Sequence, residues 1–181
     1  MSLMTCLSTI HDPRRKEGLR TNLNQILSMV TISYLCGYFG YRQLGSFCKS
    51  YSKLFTEELD LKHPVPSHVT FRDVLMRISE QELIDAFNQW TENFVPITAS
   101  DWISGDGKSL NSTVTNQANS NQDFQSVVSL FCQSSGLVAK IATFRNKKKS
   151  EIEVVIEVLK LLKINGLIIR LDALHTQKKQ F

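Results

Sequence analysis

Trp102-Ile103-Ser104-Gly105-Asp106-Gly107-Lys108 is the stretch at which the chain changes character. It reads as a short strand ending in a turn at Asp106-Gly107, because Asp and Gly favour turn conformations. Three further strands follow from the pattern. Gln125–Gln133 and Leu137–Phe144 are rich in β-formers, and Ser134-Ser135-Gly136 between them predicts a hairpin. Leu167-Ile168-Ile169-Arg170-Leu171 is an apolar run of the kind found in buried parallel strands. Ahead of it, Glu151–Lys163 predicts an amphipathic helix with Ile152, Val155, Leu159 and Leu162 on one stripe, ended by Asn165-Gly166. The polar stretch Asn111 to Gln122 predicts a loop by its composition. The order is therefore β-β-β-α-β.

Upstream of Pro96 the pattern is helical. Asp12-Pro13 predicts a cap and first helical residue, after which Leu19, Leu23, Ile26, Leu27, Val30 and Tyr34 recur at helical spacing. Gly37 and Gly40 predict a break, and a second helix runs from Arg42 toward Leu59. His63-Pro64-Val65-Pro66 is a connector. Ser67 caps a helix with Phe71, Val74, Leu75 and Ile78 inward. Ser79 and Glu82 form a capping box for another, with Leu83, Phe87, Trp90 and Phe94 on one face. The last two helices have helix-turn-helix spacing, but a plain helical packing unit is favoured, since most paired helices bind no DNA. The expected class is α+β: an all-helical domain at residues 1–96, then a domain at 97–181.

Composition limits the functions available. The 181 residues are 42% hydrophobic and 21% charged, which is ordinary globular usage. Four cysteines at positions 6, 36, 48 and 132 make no CxxC pair, so neither a zinc site nor a disulfide framework is expected and a reducing cytoplasm is the simplest compartment. Thr21 to Tyr41 carries no charge, yet Asn22, Asn24, Gln25, Ser28, Thr31 and Ser33 interrupt it. It reads as a core helix rather than a membrane span. There is no basic, apolar leader at the start and no phosphate-binding glycine loop, which disfavours secretion and nucleotide hydrolysis. Residues 1–96 balance 10 Lys+Arg against 10 Asp+Glu. Residues 97–181 carry 11 against 7, the whole net charge of +4.

Two aspartates, Asp106 and Asp172, fall at predicted strand ends, 66 positions apart. If the first and fourth strands are neighbours, both reach one rim of the sheet. Paired carboxylates repel unless a cation lies between them, and hard oxygen ligands select Mg²⁺ or Mn²⁺. Two such ions roughly 3.5–4 Å apart can activate a water and stabilise a leaving oxygen in phosphodiester cleavage. Taken singly, Asp106 is better read as a turn residue and Asp172 as a helix cap; together on one edge they carry more weight. Arg145, Lys147, Lys148 and Lys149 crowd the approach to a helix N-terminus, where cations oppose the macrodipole; Glu151 and Glu153 offset part of that. A polyanionic backbone would relieve the repulsion, with Lys108, Lys178 and Lys179 adding to the surface.

Several motifs together resemble the insertion-sequence DDE transposases of the H-repeat-associated (ISAs-type) group. They are Ile10-His11-Asp12-Pro13-Arg14-Arg15, Gly18-Leu19-Arg20, Pro66 to Phe71, Gly105-Asp106-Gly107-Lys108-Ser109-Leu110, Lys149-Ser150-Glu151-Ile152 without the usual Asn, and Leu171-Asp172-Ala173-Leu174-His175-Thr176-Gln177-Lys178-Lys179. The resemblance implies a helical transposase-associated domain followed by a ribonuclease H-like catalytic domain. Asp106 and Asp172 would be its first two catalytic, metal-binding aspartates. Transposon ends would be cut by water, and the freed 3′-hydroxyl would attack target DNA, with divalent metal in both steps. The partner would be DNA in the cytoplasmic nucleoid, with self-association open. The family's third acidic residue lies beyond Phe181, so a truncated copy is expected. The alternative is a non-catalytic DNA-binding or interaction remnant.

Overall fold

A computed structural model describes residues 2–17, 19–115, 123–148, 150–162 and 164–171. Six helices come first: α1 (Leu3–Leu7), α2 (Leu23–Leu35), α3 (Tyr41–Ser50), α4 (Ser52–Glu58), α5 (His68–Leu75) and α6 (Glu80–Phe94). Then come β1 (Trp102–Thr115), β2 (Asp123–Cys132), β3 (Leu137–Arg145), α7 (Glu151–Leu161) and β4 (Ile168–Arg170). Helices followed by a four-stranded mixed sheet agree with the α+β expectation. The chain divides into two compact units, Met1–Ala86 and Phe87–Phe181, with the division inside α6.

In the first unit, α2 buries Leu23, Ile26, Leu27, Met29 and Val30, while α3 contributes Leu44 and Phe47 and α5 contributes Phe71 and Val74. The expected start at Asp12-Pro13 is not a helix start. Asp12 instead accepts from Arg14 Nε at 2.9 Å and Arg14 Nη2 at 2.6 Å, and that guanidinium also donates to Thr21 O at 3.0 Å. This clasp ties Asp12 to Thr21, and α2 begins at Leu23, ten residues after the expected first helical residue, Pro13. Its cap is Asn22, in a reciprocal box with Gln25. Gly37 takes φ +85°, which a side chain resists, and ends α2's turn as expected. The helix expected from Arg42 to Leu59 is interrupted at Tyr51 into α3 and α4. Ser67 caps α5 as expected. At α6 the box is half made: Ser79 Oγ accepts from Glu82 N, but the Glu82 carboxylate accepts from His11 N at 2.6 Å instead of returning to its own cap.

In the second unit the strand order is β3-β2-β1-β4. β1 and β2 are antiparallel, as are β2 and β3, while β4 runs parallel to β1. The hairpin at Ser134–Gly136 forms, closed by Gly136 N to Cys132 O at 3.0 Å. One face of the sheet buries Ile103, Val128, Leu130 and Cys132 against Val154, Val155 and Val158 of α7. Complete burial of such a side chain stabilises by about 1.5–3 kcal/mol, and Val95 and Ala139 belong to the same buried cluster.

Three expectations are corrected here. β1 does not turn at Asp106-Gly107; it continues to Thr115, with Asp106 opposite Ser129. The polar Asn111–Thr115 segment, expected as loop, is strand, because a ribbon exposed to water needs no apolar alternation. β4 is parallel, as expected, but not buried: Ile168 and Ile169 are 41% and 44% exposed, since β4 lies at the end of the described strand order.

The face of α6 is also different. Leu83 and Phe94, expected inward, are 38% and 50% exposed, whereas Ile84, Ala86 and Thr91 are buried. Hydrogen bonding to the sheet edge sets the helix's rotation in the second unit. Asn88 Nδ2 donates to Ile141 O and its Oδ1 accepts from Ile141 N, both at 2.9 Å, as a neighbouring strand would. Thr91 Oγ1 donates to Ala139 O at 2.7 Å. Lys140, 8% exposed at its side chain, donates to Asn88 O and pairs with Glu92. β3 is thereby sealed as an edge, which guards against pairing with another chain. Phe87, Trp90 and Phe94 stack on one another, with ring centroids at 5.9 and 5.3 Å.

Two outcomes follow. Asn88→Ala orphans both backbone groups of Ile141 and should lower stability by about 1–3 kcal/mol, read from urea denaturation. Hydrogen bonding from Arg14 holds the Asp12 carboxyl below its ordinary range. Its stabilisation is present above the unfolded carboxyl value and is lost as pH falls through the lower folded one. Asp12→Asn should be less stable than the native chain at neutral pH, by roughly 1 kcal/mol at this part-exposed site. The gap should close on acidification below pH about 4.

Candidate functional site

Alternation along β1 sorts its side chains onto two faces. Ile103, Gly105 and Gly107 face α7, while Trp102, Ser104, Asp106 and Lys108 occupy the other positions. Asp106 and Lys108 are exposed. The two glycines let other groups approach the strand closely. A Cβ on Gly105 would lie 2.8 Å from Leu171 Cδ2 and 3.5 Å from Leu130 Cδ2. A Cβ on Gly107 would lie 2.9 Å from Glu151 Cγ and would overlap that residue's carboxylate. The carboxylate of Glu151 therefore rests directly over β1, one residue from Asp106.

The start of α7 explains why Glu151 can do this. Ser150 Oγ accepts from Glu153 N at 3.3 Å, and Glu153 Oε2 accepts from Ser150 N at 2.8 Å, so the capping box is completed by Glu153. The two acids, grouped in the sequence as a common offset to the basic run, thus act separately. Sequence reasoning missed the position of Glu151 because no local spacing tells which strand residue the first turn of a helix will overlie. The available signal was the glycine directly after Asp106.

β4 meets β1 in parallel register, Trp102 opposite Ile168, Ile103 opposite Ile169 and Ser104 opposite Arg170, a constant offset of 66. The pairing is anchored just before the strands begin. Ile168 N donates to Asp101 O at 2.9 Å and Ser100 N to Gly166 O at 2.8 Å, with Ser100 at φ +77°. Thr98 N and Oγ1 both donate to Asp101 Oδ2, and the backbone bond chiefly holds that carboxyl below its ordinary range.

Of the expected basic residues, Arg145 ends β3, two strands across from Leu110 and four rungs beyond the level of Asp106. That is about 13 Å along the strands and about 10 Å across them. Its guanidinium lies 3.4 Å from Asp123 and is half exposed. Asn146 pairs with the backbone of Phe124, through Oδ1 at 2.9 Å and N at 3.1 Å, and leaves Lys147 and Lys148 exposed on the turn. The turn starts at Arg145 and leads into α7, whose first residue overlies Gly107. Lys149, Asp172, Lys178 and Lys179 lie outside the described residues. Among the described residues no group of three His, Cys, Asp or Glu side chains is arranged to hold a metal. Asp106 lies on the exposed face of β1, whereas the Glu151 carboxylate occupies the space left by Gly107 on the face turned to α7. A separate cavity of about 410 Å³ lies beside Thr91, Ile97, Lys140 and Ile164. Its lysine is already engaged by Glu92 and Asn88, so it belongs to the packing of the sheet edge.

Comparison with known proteins places the chain. Residues 4–91 match the DDE_Tnp_1-associated family. The "H repeat-associated putative transposase YhhI" of Escherichia coli K12 is 27% identical over 177 residues, covering 97% of this chain and 46% of that protein. The "H repeat-associated putative transposase YbfD" of the same organism is also 27% identical, with 97% and 68% covered. "Putative transposase YncI" of Escherichia coli O157:H7 is 24% identical, with 98% and 45% covered. Residues 4–91 thus carry a DDE transposase-associated match, and the chain is similar along nearly its whole length to H repeat-associated putative transposases, the group that its motifs resemble. It spans about half the length of YhhI and YncI. Among the described residues no helix is long and apolar enough to cross a membrane.

The close contact at β1 has a measurable consequence. Gly105→Ala should cost about 1–3 kcal/mol by overpacking, measured by chemical denaturation. A variant as stable as the native chain would mean that Leu171 moves aside freely.

Proposed function

We propose that residues 97–181 are part of a ribonuclease H-like transposase domain that acts on DNA phosphodiesters, with Asp106 and Asp172 as its paired metal-binding carboxylates. The supporting observation is the offset between β1 and β4. It is 66 at each described pair, and 66 positions also separate Asp106 from Asp172. A parallel pair that kept its register would set those two residues side by side. Their repulsion is relieved by a divalent cation, and Mg²⁺ or Mn²⁺ suits oxygen donors. When bound, such ions supply water activation and charge stabilisation at the leaving oxygen. Asp106 would orient the reacting phosphate from the exposed side of β1. Arg145, Lys147 and Lys148, with Lys108, would hold the flanking backbone by charge. The names of the relatives support a DNA substrate, and with it a place in the cytoplasmic nucleoid.

Two measurements test this on the 181-residue chain. Binding to a labelled DNA duplex should weaken with salt, and replacing Arg145, Lys147 and Lys148 together by Ala should reduce the slope of log K against log salt by about 2–3. Nicking of plasmid DNA in Mn²⁺ should be lost in Asp106→Asn and in Asp172→Asn. Equal nicking in both variants and the native chain would reject the aspartates. Binding without any nicking would replace the catalytic reading by a DNA-binding one.

A further inference from the structure

We propose that the first unit carries its own DNA-docking groove, between α3 and the start of α5, with Arg42 and Lys49 as its phosphate-contacting cations. The proposal rests on the reading that the partner is DNA, and it adds a surface outside residues 97–181. Charge counting hides this groove, because residues 1–96 hold ten cations and ten acids. The fold separates the two signs. A cavity of about 590 Å³ is lined by Arg42, Gly45, Lys49, His68 and the Pro64–Ser67 segment. A second cavity of about 490 Å³ shares that segment and adds Arg14, Arg20 and Thr70. Among the described residues no Asp or Glu lines either cavity. From Thr21 to Thr56 the chain has no acid at all, while Arg42, Lys49 and Lys53 lie within it. The charge of the groove wall is therefore complementary to a polyanion.

The local packing sets the spacing of the cations. Positions 42, 45, 46 and 49 share one stripe of α3. At its middle, Gly45 lets α5 come close: a Cβ there would lie 2.8 Å from His68 Cβ and 3.1 Å from His68 N. Arg42 and Lys49 stand about one turn to either side of that contact, about 10 Å apart along the helix axis. A duplex rises about 3.4 Å per nucleotide along each strand, so this span matches three steps and brings different phosphates to the two cations. Both residues are exposed, and among the described residues neither side chain has an ion-pair or hydrogen-bond partner. Arg14 and Lys53, by contrast, are engaged by Asp12 and Glu57. Two unpaired cations beside Ser67 and His68, the cap and first residue of α5, oppose that helix's dipole. A polyanion relieves this local cost. Pro64 and Pro66 restrict the backbone of the shared segment, so the groove wall is set before DNA arrives.

The test is the fluorescence anisotropy of a labelled DNA duplex titrated with the 181-residue chain over a series of salt concentrations. Native chain, Arg42→Ala, Lys49→Ala and Arg77→Ala, an exposed cation that lines neither cavity, would be compared after circular dichroism confirms that each is folded. Arg42→Ala and Lys49→Ala should each reduce the slope of log K against log salt by about 1, and Arg77→Ala should leave it unchanged. The Arg145, Lys147 and Lys148 triple variant reports separately on the second unit. If that variant loses slope while Arg42→Ala and Lys49→Ala match the native chain, the groove is overturned and the DNA reading of residues 97–181 stands. If Arg77→Ala loses as much slope as Arg42→Ala, the effect is one of overall charge and the groove is overturned. Displacement of the duplex by inorganic phosphate at constant ionic strength would mark a small-anion site and overturn it equally. A native chain that binds no duplex overturns both readings. Should Arg42→Ala fail to fold, Lys49→Ala alone decides.

Discussion

The parallel pairing of β4 with β1 is the constraint on which the second unit depends. Parallel neighbours cannot be joined by a tight turn, so the chain must leave β3, cross the sheet as α7 and return. That crossover is what lays α7 over β1 and β2. The backbone bonds at Asp101, Ser100 and Gly166 fix where the returning strand starts. A slip of one residue would invert the side-chain faces of β4 and carry its apolar residues to the wrong side. The left-handed backbone at Ser100, a conformation normally left to glycine, is a local cost of that anchor.

The two glycines of β1 follow from the same arrangement. A strand under a helix at close range can keep side chains only where the helix leaves room. Ile103 fills such a space; at positions 105 and 107 the space is taken by Leu171, Val155 and Glu151. The strand's small residues on one face and its charged ones on the other are therefore two results of one packing geometry. Motifs of the Gly-Asp-Gly kind are easily read as turns. Here the aspartate is a strand residue, and its glycine neighbours make room for another element.

At the opposite border of the sheet a different problem is solved. β3 would present unpaired peptide groups, and the second half of α6 covers them with Asn88, Thr91 and the Lys140–Glu92 pair. These polar contacts override the aromatic periodicity of α6. An apolar stripe says that a helix has a face, but bonds to a strand edge can decide which face turns inward. Phe87, Trp90 and Phe94 then pack mainly on one another.

By itself the sequence determined the β-β-β-α-β order of the second unit, the hairpin at Ser134–Gly136, the cap at Ser67, and the resemblance to transposases. Each depends on residues close together in the chain, whose turn, cap and motif chemistry acts over a few positions. It misplaced the start of α2, because Asp12 is engaged by Arg14 and Asn22 offers a better box. It ended β1 too early, because a polar ribbon and a loop have the same composition. Only the tertiary structure decided the β1–β4 register, the rotation of α6 and the position of Glu151 over Gly107. Those depend on contacts between segments tens of residues apart, and local propensity carries no record of which distant partner a side chain will meet.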